Sequence, residues 1–177
     1  MKYTLSILIT AFMTLNVIAQ ENIFQSDKLT KIWETSNDFK TPESVCFNPG
    51  SQVLYVANIN GKSSEKDGNG FISRLALDGK ILELKWITGL NGPKGMGIYD
   101  GLVYVADIDR VAVIDINTKS INKFYDFPEA LFLNDIAIDQ NGAVYVSDSD
   151  SKQIYRILND RAEVWLDDEL MSGPNGL

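Results

Sequence analysis

A five-residue phrase recurs three times along this chain: Leu54-Tyr55-Val56-Ala57-Asn58, Val103-Tyr104-Val105-Ala106-Asp107 and Val144-Tyr145-Val146-Ser147-Asp148. The tyrosines stand 49 and 41 residues apart, and the extra length of the first interval falls in one polar loop, 60–70. Upstream of each phrase lies a leading tetrad, Pro42-Glu43-Ser44-Val45, Pro93-Lys94-Gly95-Met96 or Leu133-Asn134-Asp135-Ile136, and a fourth tetrad, Pro174-Asn175-Gly176-Leu177, closes the sequence. Between tetrad and phrase the pattern has period two: Ile136 and Ile138 alternate with small or polar neighbours, Asn141-Gly142 makes a turn, and 143–147 alternates again before the polar loop 148–152 and a third run, 154–158. These are short strands separated by turn chemistry.

A period near forty residues built from about four short strands is the pattern of a propeller blade, whereas helical solenoids of similar period need apolar spacings of three and four. No such helical spacing follows residue 30. The fold class read here is therefore all-β, a β-propeller of four-stranded blades, with blades at about 41–90, 91–130 and 131–172 and the start of the next at 173–177. Strands are expected at 44–47, 53–57, 71–76 and 81–87 in the first blade, at 111–116 and 121–127 on the outer side of the second, and at 162–167 on the outer side of the third. A ring needs at least four blades, so the sequence reads as a piece of a chain about twice as long, with its remaining blades expected in that chain. Three blades standing alone, or pairing as a dimer, would leave sheet edges open to aggregation. Residues 29–35 also read as a strand. Trp33 precedes Pro42 by nine residues just as Trp165 precedes Pro174, so 20–40 is expected to hold a leader and the outer strand of a closing blade.

With 45% hydrophobic and 23% charged residues, the composition is globular. The formal charge of −8 with no basic block argues against nucleic acid and anionic membrane as partners and leaves cations and small polar molecules open. Residues 1–19 read as a signal peptide: Lys2, an apolar run over 5–15, then Val17-Ile18-Ala19. That run is short of the roughly 20 apolar residues of a membrane span. The expected location is therefore exported, periplasmic or extracellular, with no membrane anchor; an uncleaved anchor is the alternative. The sequence contains no histidine, which removes Ser-His-Asp and Cys-His catalysis and imidazole-ligated metals. Cys46, the one cysteine, sits between Val45 and Phe47 and reads as a small apolar side chain.

In a propeller the first strand of each blade lines the central channel, so the second tetrad positions, Glu43, Lys94, Asn134 and Asn175, are expected at one channel mouth. Glu43, Asn134 and Asn175 offer one carboxylate and two amide oxygens, hard ligands suited to one divalent cation, calcium foremost or magnesium. Turn capping is the alternative reading of the same residues. Asp107 and Asp148, at the ends of their second strands, are expected at the same mouth, where they either add to a negative field or cap turns. Asp67-Gly68-Asn69-Gly70 has the look of a calcium loop without its remaining ligands and reads as a hairpin turn.

Pro42-Glu43, Leu133-Asn134-Asp135 with Asp139 and Gly142 downstream, and Pro174-Asn175-Gly176-Leu177 resemble the senescence marker protein and gluconolactonase (regucalcin-like) family of six-bladed propellers, over about residue 29 to the end. The resemblance implies about three of six blades, and an exported metal-dependent lactonase-type hydrolase acting on a small-molecule substrate, a sugar lactone or related ester. It implies that Glu43, Asn134 and Asn175 match the family's glutamate and two asparagines. The family's fourth ligand, an aspartate also proposed as general base, falls past Leu177, so no catalytic residue is assigned and the chain as given is expected to have little activity. Phe132 stands where lactonase members can carry a substrate-holding arginine, and Lys94 is the candidate to replace it in part, a solvated lysine being the alternative; Lys94, Phe132 and Asp148 are the expected substrate-facing residues. The third blade also resembles an NHL repeat, which makes a non-catalytic binding module the alternative. A carbohydrate-binding propeller using Trp33, Trp86 and Trp165 is a further reading, although their outer-strand positions favour core packing.

Overall fold

A short sheet with alternating side chains buries an apolar face only by packing it on another sheet, and that requirement sets the arrangement of this chain. The computed structural model describes residues 30–177, and every regular element among them is a strand. They are β1 (Pro42–Asn48), β2 (Val53–Asn58), β3 (Gly70–Ala76), β4 (Ile81–Leu90), β5 (Pro93–Tyr99), β6 (Leu102–Asp107), β7 (Arg110–Asp115), β8 (Ser120–Asp126), β9 (Leu133–Ile138), β10 (Val144–Asp148), β11 (Gln153–Leu158) and β12 (Arg161–Asp167). Consecutive strands pair antiparallel into three four-stranded meanders, β1 to β4, β5 to β8 and β9 to β12. The strands begin and end within a few residues of the expected positions. The largest extension is β4, which runs on to Leu90 because Thr88 and Leu90 pair with Phe71 and Gly70.

Two cores hold the sheets together. Val53, Tyr55, Ala57, Ile72 and Trp86 of the first sheet pack against Met96, Val103, Val105, Ala112 and Ile114 of the second. Ala106, Val111 and Phe127, on the other side of the second sheet, pack against Ile136, Val144, Val146, Tyr155 and Ile157 of the third. The alternation within the phrase explains this directly, since Val105 faces one neighbour and Ala106 the other. Each fully buried Val, Ile or Leu contributes roughly 1.5–3 kcal/mol. At the outer rim Lys119 reaches Glu83 at 3.1 Å, and Lys123 and the Tyr125 hydroxyl reach Asp160. These exposed links are worth little beside the cores.

In the second sheet, between the other two, Pro93–Gly97 of β5 is buried, whereas β1 is largely exposed and β12 is exposed throughout. The Asn141-Gly142 turn forms as expected, with Gly142 at φ +84° and the Tyr99 ring packed where a Cβ would stand. The expected signal peptide lies outside the described residues. Residues 30–35 carry no strand pairing, in contrast to the strand expected there; the Trp33 ring lies on the Gly79 turn between β3 and β4.

Candidate metal and substrate site

Each sheet opens with the same irregularity. Pro42 pairs with Asn58 and Val45 with Val56, so Glu43 and Ser44 together face Ala57. Pro93 pairs with Asp107 and Met96 with Val105, so Lys94 and Gly95 face Ala106. Leu133 pairs with Asp148 and Ile136 with Val146, so Asn134 and Asp135 face Ser147. Two residues set against one form a β-bulge, which bends the strand and re-aims a side chain. The second tetrad position is thus the first residue of a bulge in all three innermost strands.

The bulges are neighbours. β5 lies against both β1 and β9. The Ser44 hydroxyl donates to the Lys94 carbonyl at 2.6 Å, joining the first bulge to the second. At Gly95 an added Cβ would stand 2.5 Å from the Asp135 Cα and 2.7 Å from the Asn134 carbonyl, so the absence of a side chain is what lets the second bulge meet the third. The fourth tetrad joins through Asp135, whose Oδ2 accepts the Leu177 N–H at 3.0 Å.

The electrostatics follow from that crowding. Glu43 is an exposed residue, yet partial burial of its carboxyl pushes it above the usual range; the Lys94 ammonium pulls it back and the Asp135 carboxylate pushes it up again. Lys94 is 1% exposed. Its Nζ donates to the carbonyls of Ser63 and Gly92, each at 3.1 Å, and lies 4.1 Å from the centre of the Phe132 ring. Burial holds Lys94 below the ordinary lysine range, with Asp107 and Glu43 opposing. Lys94 and Phe132 therefore engage each other, an ammonium on a ring face, instead of both opening to solvent. Asn134 is 7% exposed, and Asn175 lies exposed in the coil after β12.

Asp148 has a different situation from the substrate-facing one expected. It is 0% exposed; its Oδ2 accepts the Leu131 N–H at 2.7 Å and its Oδ1 accepts those of Phe132, Asp150 and Ser151 at 3.0 Å each. Its carboxylate is consumed by backbone amides, and it holds the loop that leads into β9. Asp107 does the same for β5, accepting from Asn91 and Gly92 at 2.8 Å and from the Arg110 guanidinium at 2.9 Å. Asn58, at the equivalent position, accepts the Lys40 N–H at 2.9 Å. The last residue of the recurring phrase is thus a clamp on the segment entering its own sheet. Asp67, in the fragment with the look of a calcium loop, likewise spends its oxygens on Asn69.

Two residues at the site were not singled out by sequence reasoning. Asp135 touches the fourth tetrad and acts on Glu43; its signal was its place in a bulging tetrad. Ser147 faces the third bulge, and its signal was a break in a column otherwise filled by Ala57 and Ala106.

Among the described residues no three His, Cys, Asp or Glu side chains gather as a metal cage. Of the expected donors, the Glu43 carboxyl is the one whose surroundings are defined, with the Asp135 carboxylate and the Lys94 ammonium acting on it; Asn134 and Asn175 would add two amide oxygens. This chemistry fits a hard cation: a partly desolvated carboxylate with a second carboxylate near it gains from a positive charge.

No family profile matches the sequence, and no curated protein matches it. Solved structures do. A catalytically inactive virginiamycin B lyase from Staphylococcus aureus, with quinupristin, superposes with a TM-score of 0.60 at 19% identity, over 80% of this chain and 46% of that one. The nidogen/laminin complex matches with a TM-score of 0.60 at 14% identity, over 76% and 50%. Regucalcin from Agrobacterium tumefaciens, a calcium-binding protein, matches with a TM-score of 0.51 at 18% identity, over 67% and 42%. The chain is a partial β-propeller. It spans about half the length of the solved propellers it matches. At these identities the likeness is one of fold. In propeller terms the three sheets are blades, and the bulges stand where the innermost strands begin.

Proposed function

We propose that this propeller is part of an exported, metal-dependent hydrolase of the lactonase type, acting on a small sugar lactone or related ester. The observation that carries the reading is the run of three bulges that present Glu43, Lys94 and Asn134 from equivalent positions of neighbouring strands. The raised Glu43 carboxyl beside Asp135 supports it, and so does the fold shared with a calcium-binding propeller. Glu43, Asn134 and Asn175 are the residues that would hold a divalent cation, calcium foremost. When bound, such a cation supplies a Lewis acid for a carbonyl oxygen. Lys94 is held between two carbonyls and the Phe132 ring, where its ammonium opposes the rise of the Glu43 carboxyl. The carboxylate that would take a proton from attacking water is expected on a further blade. Export is the reading of residues 1–19.

The test is hydrolysis of a sugar lactone by the 177-residue chain and by the chain extended through its following blades. The expected result is little turnover by the first and chelator-sensitive turnover by the second, falling at least about a hundredfold with Glu43→Gln. Turnover unaffected by chelator refutes the metal-dependent reading. A second reading, a binding propeller without catalysis, draws on the likeness to the nidogen/laminin complex. It calls for no response to calcium at the bulges, so the same chelator experiment combined with calcium binding separates the two.

A further inference from the structure

Ser147 stands where the other two blades carry Ala57 and Ala106, directly across the bulge from Asn134 and Asp135. It is wholly buried. A buried hydroxyl is unfavourable unless it is hydrogen-bonded, so a serine in an alanine column needs partners. It has two. Ser147 Oγ accepts the Asp135 N–H at 3.0 Å and donates to the Asn175 carbonyl at 2.9 Å. Asp135 closes the same link from the other side, its Oδ2 accepting the Leu177 N–H at 3.0 Å. Ser149 adds a third tie, its hydroxyl donating to the Pro174 carbonyl at 2.8 Å.

These bonds join the backbone that carries one amide of the candidate site to the backbone that carries the other. Asn175 lies in coil with no strand pairing of its own, so its place relative to β9 depends on such bonds. Neutral amide oxygens hold a cation well only when presented together, and partners that orient ligands matter almost as much as the ligands themselves. We propose that Ser147 and Asp135 are positioning residues, which lock the segment bearing Asn175 onto the bulge bearing Asn134 so that both amides face one cation. The proposal rests on the metal reading above. Neither residue is assigned a contact with substrate.

Two measurements on the 177-residue chain separate the parts. The first is backbone amide hydrogen exchange without added metal. Ser147→Ala, which restores the residue type of the other blades, is expected to speed exchange at Asp135 and Leu177 by about tenfold or more. Asp135→Asn, which keeps an oxygen acceptor, is expected to preserve protection at Leu177 where Asp135→Ala loses it. Unchanged exchange in Ser147→Ala overturns the link whatever the metal does. The second is calcium chloride titrated by calorimetry, in which Ser147→Ala is expected to bind about 10–100-fold more weakly than the parent chain. Equal binding by parent and variant overturns the positioning role alone. A parent chain that binds no calcium, with the exchange results as expected, overturns the metal reading and with it the role assigned here.

Discussion

At the scale of the residue, the clearest division is between carboxylates that serve the fold and those that face the site. Asp148 and Asp107 sit at the mouth in sequence terms but are saturated by backbone amides. Asp148→Ala leaves four part-buried amides without their acceptor and is expected to lower stability by about 3 kcal/mol in urea unfolding, whereas Asp150→Ala is expected to stay within about 0.5 kcal/mol. Equal effects would contradict the clamp. Lys94 gives a pH signature. Burial lowers its value in the folded chain beneath the ordinary 10.5, so across that window the unfolded chain binds more protons, and this group makes stability rise with pH. Lys94→Met is expected to remove that rise, so that the difference in unfolding free energy between variant and parent changes as the pH climbs toward the ordinary lysine value; a difference constant with pH would contradict it. The sequence placed Asp148 at the end of a strand, which either role requires. What it did not contain was the set of amides converging on it, because Leu131 and Phe132 belong to a loop whose path only the packed blade defines.

At the scale of the element, the strands were legible because their faces alternate strictly: Val103 and Val105 point to one core and Tyr104 and Ala106 to the other, and that alternation survives in any window of the sequence. The bulges were not legible. The tetrads recur visibly, but two residues facing one is a matter of register, and register is decided by the partner strand. Residues 30–35 show the same limit, since a strand-like stretch becomes a strand only when it pairs with a neighbour, and here it does not. The approach of the second bulge to the third is an element-level property with a single-residue test. Gly95→Ala places a methyl group 2.5 Å from the Asp135 backbone, and the resulting shift between β5 and β9 is expected to cost about 1–3 kcal/mol in thermal or urea unfolding. Gly61→Ala, where the nearest atom is 3.5 Å away on a side chain, is the control and is expected to cost less.

At the scale of the whole molecule, three blades present two outer sheets where a ring would have neighbours. Val45 and Phe47 on β1 are 63% and 45% exposed, and Val164, Trp165 and Leu166 on β12 are exposed as well. Apolar area of this kind marks an interface, so the 177-residue chain is expected to self-associate with rising concentration in sedimentation, and Phe47→Ser to reduce that association. The candidate site belongs to the same scale, because the ligands proposed for it come from separate blades and have meaning only if the blades bring them together. The most direct test is therefore the melting temperature of the chain across a calcium titration. The account predicts a rise with the logarithm of calcium concentration, equivalent to about 2.7 kcal/mol at a hundredfold excess over the dissociation constant, and its loss in both Glu43→Gln and Asn134→Ala. A melting temperature indifferent to calcium, or a rise that survives both substitutions, would contradict it.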